Sequence, residues 1–322
     1  MKRIKDLIIL HDPGLSSYNI GDEIISTCIR EELSKVINNK TVLSLSTHLP
    51  LSYRYLRTIK SPRYQFVCGS NLLKSSFLGI KRQWDITLRN SIYINNLILV
   101  GVGIWQYNNK INMYTKLLYK RILSKKYLHS VRDEYTKDKL KSIGISNVLN
   151  TGCPTLWRFT SEFCEKINQK KSKNVIFTIT DYNQDFDKDI EMINILFEKY
   201  DKVYFFPQGG GDIEYLKKLG YRDKVILIPP SLKAYDNFLK NNNDIDYIGT
   251  RLHGGIRAMH FYRRCIIISI DNRAKEMSDN FNLPILEREE IGKLLSMIDT
   301  DILYDIKIPT EQIIKWKEQF YG

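Results

Sequence analysis

Short runs of β-branched and aromatic residues recur along almost the whole chain, each followed by a stretch with helical spacing, and this rhythm limits the fold more than any other feature. In the first half the runs are DLIILH, TVLSLS, QFVCGS, LILVGVG, YLHSVR and VLNTG, and in the second NVIFTIT, KVYFFPQ, KVILIP, DYIGT and CIIISI. Between them lie segments such as GDEIISTCIREELSKVI, where Ile24, Ile25, Cys28 and Ile29 share one face, and EYTKDKLKSIG, closed by Gly144. Strands alternating with crossover helices imply parallel sheets covered on both faces. At 322 residues the chain exceeds one compact core, so two Rossmann-like α/β domains are expected, residues 1–165 and 166–322. The polar, basic stretch from Ser161 to Lys173 reads as their connector. The terminal PTEQIIKWKEQFYG reads as a helix with Pro309 near its start, Thr310 as its cap and Ile313, Ile314, Trp316 and Phe320 as its apolar residues, placed to pack back on the first domain.

Composition narrows the class. No apolar run approaches the roughly 18 to 20 residues that span a bilayer, so a soluble globular protein is expected. The opening MKRIKDLIILHD resembles a leader only superficially: its short apolar run ends at His11 and Asp12 without a small-residue cleavage site, and a first strand is expected there. Cys28, Cys68, Cys153, Cys164 and Cys265 show no paired spacing, which suits free thiols in a reducing cytosol and offers no zinc ligand set. Lysine and arginine outnumber aspartate and glutamate by 49 to 36, a net charge of +13 that favours anionic partners. The basic runs YKRILSKKY and NQKKSKN read as solvated faces. No helix-turn-helix spacing, zinc knuckle or aromatic RNA-binding strand is present, so nucleic acid is not expected.

Two facing Rossmann-like domains place their sites at the carboxyl ends of the strands, where the domains meet in a cleft. After DYIGT come Arg251, Leu252, His253, Gly254 and Gly255, and then a helix. Glycines at a helix opening let an anion approach free N–H groups and the positive end of the dipole. Arg251 adds a fork for carboxylate or phosphate, and His253 beside it is suited to moving a proton. A structural histidine at a helix end is the competing reading, and His260 further along is read as structural. After CIIISI, Arg273 extends the anion cradle, with Glu276 to orient it. After KVYFFPQ, Gln208 and three glycines precede Asp212, without the Lys-Ser/Thr pair of a phosphate loop. In the first half Asn19, Gly21 and Asp22 follow strand one, Gly69, Ser70 and Asn71 follow strand three, Gly101 and Gly103 follow strand four, and Arg132 with the helix-capping Asp133 follows strand five. The dinucleotide fingerprint GxGxxG does not occur.

NIGDEII, SVRDEYTKDKLKSIG followed by VLNTGCPTLW, FFPQGGGD, and DYIGTRLHGGIRAM with DNRAKEM resemble, in order and spacing, the motifs of the polysaccharide pyruvyltransferase family from about residue 8 to 285. The resemblance implies a glycosyltransferase-B-like fold and transfer of the pyruvyl unit of phosphoenolpyruvate to two sugar hydroxyls, giving a cyclic ketal and phosphate. It implies that Arg251 holds the donor's anionic groups and that His253 transfers protons. Gly254, Gly255, Arg273 and Gln208 are then the further donor-binding candidates on a C-terminal donor side, and Arg132 is a donor-binding candidate from the first half. Asn19, Gly21, Asp22, Ser70 and Asn71 are acceptor-binding candidates on an N-terminal acceptor side. Gly69-Ser70 stands where the family has two glycines. The scheme requires no cofactor and no metal, phosphoenolpyruvate being a substrate. The expected partner is a sugar or glycan, lipid-linked in one version, which would bring a cytoplasmic enzyme to the inner face of the membrane, although no amphipathic anchor stands out. Two other classes stay open: a nucleotide-sugar glycosyltransferase of the same fold, and a non-catalytic protein that binds anionic glycan or a membrane surface.

Overall fold

The computed structural model describes residues 6–59, 62–78, 83–105 and 110–321. Strands β1 (Leu7–Asp12), β2 (Thr41–Ser46), β3 (Tyr64–Cys68) and β4 (Leu97–Val100) form a parallel sheet in the order β2-β1-β3-β4. Strands β5 (His129–Val131) and β6 (Val148–Asn150) pair with each other, and a bridge between Val102 and Val131 ties β5 to the chain leaving β4. A second parallel sheet contains β7 (Asn174–Thr178), β8 (Lys202–Phe205), β9 (Ile226–Leu227), β10 (Ile245–Gly249), β11 (Cys265–Ser269) and β12 (Ile285–Glu287), in the order β12-β11-β10-β7-β8-β9. Each of the eleven expected runs contains a strand. The twelfth, β12, was not foreseen because three residues after Pro284 on a sheet edge carry too little pattern to read.

The chain divides into two compact units, Met1–Ser17 with Ile25–Trp157 and Ile308–Gly322, and Tyr18–Ile24 with Arg158–Lys307. The crossing at Trp157 precedes residue 165, and two short segments each join the unit built by the opposite half of the sequence. In the first unit, Ile25 and Ile29 of the helix Ile20–Glu32 pack on Ile8, Leu10 and Phe66. Each such buried side chain contributes roughly 1.5–3 kcal/mol relative to exposure. The second unit has its own core, in which Met192, Ile193 and Leu196 of the helix Phe186–Lys199 cover Val175 and Phe177.

The terminal helix Thr310–Glu318 belongs to the first unit, with Trp316 and Phe320 set edge-on against Phe66 and the Trp316 Nε1–H donating to the Leu128 carbonyl at 2.9 Å. Thr310 is not its cap: Pro309 holds that position and Thr310 opens the helix. The Ser161–Lys173 stretch is no free connector either. Thr160 caps a short helix, Ser161–Glu165, whose Phe163 stacks near Tyr262, and Cys164 and Ile167 are buried in the second unit. The helix Met113–Ile122 was also unforeseen, because apolar residues on its outer face blur the contrast that marks a helix in sequence. All five cysteines are buried thiols. Among the described residues no helix is long and apolar enough to cross a membrane.

Candidate active site

Four neighbouring strands of the second sheet, β11, β10, β7 and β8, send their carboxyl ends into one recess. Its lining includes Asn19, Tyr182, Gln208, Arg251, His253 and Arg273, all within the second unit. The arrangement follows from parallel pairing: strands that run the same way deliver their following loops to the same edge.

Arg251, directly after β10, is almost wholly buried, and its Nε donates to the Ile179 carbonyl and to Asp212 Oδ2, both at 3.2 Å. Its Nη2 donates to Asp181 Oδ1 at 2.8 Å and to Asp212 Oδ1. None of these bonds uses Nη1. Asp212 is fully buried and also accepts from the amides of Gln208, Gly209 and Asp181, at 3.0, 2.7 and 3.2 Å. The loop after β8 is therefore wrapped around a carboxylate, which in turn grips the arginine. Burial raises the Asp212 carboxyl above its ordinary range, and Arg251 opposes that rise. Burial works against the Arg251 charge as well, but Asp212, Tyr182 and Asp181 together outweigh it and the guanidinium is held more firmly protonated than usual.

The glycines serve this packing. A Cβ on Gly209 would overlap Arg251 Nη2, so that position must be bare for the guanidinium to reach Asp212. In the Gly254–Gly255 pair, a Cβ on the first would lie 2.7 Å from Gln208 Oε1 and one on the second 2.7 Å from Ile267 Cγ1 and 2.8 Å from Tyr247 Cε1. The pair thus seats the helix Leu252–His260 on its sheet, where a ligand gap was expected, and the Gly255 amide is used within the helix by the Arg251 carbonyl at 3.2 Å.

Arg273 sits at the opening of the helix Asn272–Phe281, after β11. Its Nε meets both oxygens of Asp271, at 3.2 and 3.0 Å, and its Nη2 donates to the Tyr182 hydroxyl at 2.7 Å. Asp271 therefore holds Arg273, and Glu276, the expected partner, accepts from Asn280. Tyr182 links the two arginines, because its ring also lies 5.2 Å from the Arg251 guanidinium carbon. His253 is buried on the recess wall, in the first turn of its helix. Gln208 donates from Nε2 to Asn19 Oδ1 at 3.3 Å, while its buried Oε1 has no hydrogen-bond partner among the described residues. Asn19 is fixed by a bridge to Gly209, and Gly21 and Asp22 follow it in the first turn of the helix Ile20–Glu32. As arranged, the recess holds about 20 Å³ of open space, room for one water-sized molecule.

The structure brings together Arg251, His253, Arg273, Gln208 and Asn19. Arg132, Ser70 and Asn71 belong to the first unit. There Arg132 is paired with Asp133 at 3.0 Å, and Asp133 also caps the helix Glu134–Ser142 through the Thr136 amide. His260 packs against Phe159 at 5.4 Å between ring centres. Asp181 and Tyr182 were missed. Their one sequence signal is a polar DYN directly after the apolar NVIFTIT run, at a strand's carboxyl end. Among the described residues no group of three or more His, Cys, Asp or Glu stands together as a metal site.

The sequence pattern of the family described as polysaccharide pyruvyl transferase matches residues 19–272, a span that contains the entire recess except Arg273 and Ala274. The chain belongs to the polysaccharide pyruvyl transferase family. It is therefore a transferase of polysaccharide pyruvylation. No curated protein matches the sequence. Among solved structures, a UDP-N-acetylglucosamine 2-epimerase is similar with a TM-score of 0.51 at 12% identity, over 99% of this chain and 91% of that one. A UDP complex of MnaA from S. aureus gives 0.49 at 13% identity, over 98% and 96% of the two chains. The heptosyltransferase WaaC of E. coli with ADP gives 0.44 at 11% identity, over 91% and 99%. At such identities the likeness concerns the fold, and this pyruvyl transferase has two Rossmann-like, parallel-sheet α/β domains of the glycosyltransferase-B kind.

Proposed function

We propose that the protein transfers the pyruvyl unit of phosphoenolpyruvate to two hydroxyls of one sugar in a bacterial surface polysaccharide or its lipid-linked precursor, forming a ketal and releasing phosphate. The observation that carries this reading is the convergence of two arginines and His253 on one recess within a chain of this family. A donor with a carboxylate and a phosphate needs more than one fixed cation. The second unit is the donor side in this reading.

The reaction balances without a cofactor. Proton addition to the methylene carbon of the donor makes the neighbouring carbon cation-like, one sugar hydroxyl adds there, phosphate leaves, and the second hydroxyl closes the ring. Of the two hydroxyl protons, one is matched by the new methyl hydrogen and the other by the proton on the released phosphate. His253 moves these protons. Arg273 takes a donor oxygen in exchange for Asp271, whose side chain is partly exposed, and Arg251 does the same on the side of Asp181 while Asp212 keeps hold of it. Tyr182, itself more than half exposed, is the recess side chain that gives way to the donor in this reading. Gln208 Oε1 supplies a waiting acceptor, and Asn19, on the recess wall, is the group we assign to a sugar hydroxyl.

Incubation with phosphoenolpyruvate and candidate acceptor glycans, followed by mass spectrometry, tests the proposal. The expected product carries one added pyruvyl unit, with phosphate released in equal amount. Release of a nucleoside diphosphate from a sugar nucleotide instead would assign the chain to glycosyl transfer.

A further inference from the structure

The chain's positive charge is concentrated in one stretch. From Leu33 to Arg132 there are seventeen lysines and arginines and one carboxylate, Asp85, so these hundred residues are more cationic than the whole chain at +13. The remainder is slightly acidic. The whole stretch falls within the first unit.

Within it lies the helix Met113–Ile122, which carries no acidic residue. One side of the helix buries Thr115, Leu118, Tyr119 and Ile122. On the other, Met113 and Leu117, one turn apart, are 77% and 52% exposed. Two more apolar side chains flank them. Leu78, 64% exposed, adjoins Phe77, whose amide donates to Thr115 Oγ1 at 2.9 Å. Ile92, 59% exposed, ends the turn Asn90–Ile92, and the Leu88 amide just before that turn donates to the Tyr114 hydroxyl at 3.2 Å. Lys116, Lys120 and Arg121 rise from the same helix, the last two exposed.

Four exposed apolar side chains grouped around one cationic helix mark an interaction surface. A second copy would bring the same cations face to face, which charge repulsion opposes. Nucleic acid would engage the cations and leave the apolar side chains in water. An anionic bilayer satisfies both: aliphatic side chains enter the acyl boundary while lysine and arginine meet headgroup phosphates. We propose that this face of the first unit, centred on Met113 and Leu117, docks on an anionic lipid bilayer. The proposal stands on charge and exposure and is independent of the reaction assigned to the recess.

Cosedimentation of the full chain with vesicles tests it. At low salt the protein should pellet with vesicles containing about a third phosphatidylglycerol and stay in solution with phosphatidylcholine alone. Raising the salt should release it. Lys116→Gln, Lys120→Gln and Arg121→Gln together should weaken partitioning by roughly fivefold per cation removed. Met113→Ser with Leu117→Ser should weaken it at least about tenfold by removing buried hydrocarbon. A control set in the second unit, Lys217→Gln, Lys218→Gln and Lys224→Gln, should change it less than about twofold, since those charges are no part of the first unit's cationic helix. Indifference of the wild-type protein to anionic vesicles, or equal losses in the control set and the helix set, would overturn the proposal. So would a concentration-dependent dimer in gel filtration that the serine pair abolishes, or duplex DNA binding that the glutamine set abolishes while vesicle binding persists. Thermal melts of both variant sets separate loss of binding from loss of fold.

Discussion

Arg251 and Asp212 form a fully desolvated ion pair, with Nε 3.2 Å from Oδ2, and through it the loop after β8 is fastened to the chain leaving β10. Removing one partner of such a pair leaves a charge in the interior without its counter-ion, a loss of about 3–5 kcal/mol. Asp212→Asn should therefore lower the urea midpoint sharply. Arg251→Ala combined with Asp212→Asn should cost less than the sum of the single changes, because the charge left behind in each single variant is then gone.

Proton transfer by a positioned side chain is worth about 10²–10⁴-fold in rate. His253→Gln keeps a polar side chain of similar volume, so pyruvyl transfer should fall by that factor while the affinity for phosphoenolpyruvate, measured by calorimetry, changes little. A comparable fall in donor affinity would show that His253 is a binding group.

Arg273 tests the anion cradle separately. Loss of a charge-assisted hydrogen bond is worth about 1.5–3 kcal/mol, so Arg273→Gln should raise the KM for phosphoenolpyruvate by about ten- to a hundredfold. The turnover number should move much less. An unchanged KM would remove Arg273 from the donor site.

Two buried histidines of the first unit make stability depend on pH. Burial lowers the pKa of both His11 and His129 to about 4 from 6.5, so both are neutral in the folded chain at neutral pH. The unfolded chain takes up protons below 6.5 and the folded chain resists until about 4. Stability is thus complete above that upper value and declines as the pH falls towards the lower one, by about 3 kcal/mol per histidine. Melting temperatures across this window check the slope, and His11→Leu should flatten it by roughly half.

Trp316 is fully buried against Trp157 and Phe66. Trp316→Ala should cost about 3–5 kcal/mol and appear first as loss of signal from the first unit in hydrogen exchange.

Much of this molecule is legible in its sequence because the relevant signals are local. The periods of the strand runs are set within six or so residues, and Arg251, His253, Gln208 and Arg273 each stand directly after such a run. What escaped depends on contacts between distant segments. Asp212 looks like a helix-opening acid in sequence, and it becomes the partner of Arg251 only when β8 and β10 flank β7 in one sheet. Asp181 and Tyr182 gain their roles the same way. Ser70 and Arg132 follow strands too, but those strands, β3 and β5, belong to two separate sheets of the first unit. The helix Met113–Ile122 was hidden for a different reason, since apolar residues on both its sides defeat a pattern read as inside against outside.

The aromatic cluster around Trp316 and Phe320 also governs the timing of folding. The first unit is built mainly from residues that precede Trp157, yet it lacks the two rings that fill its floor until synthesis has reached Phe320. A contiguous piece ending at Trp157 would present that floor to water, so dissecting the enzyme into halves requires grafting the tail segment onto the earlier one, as in a circular permutant.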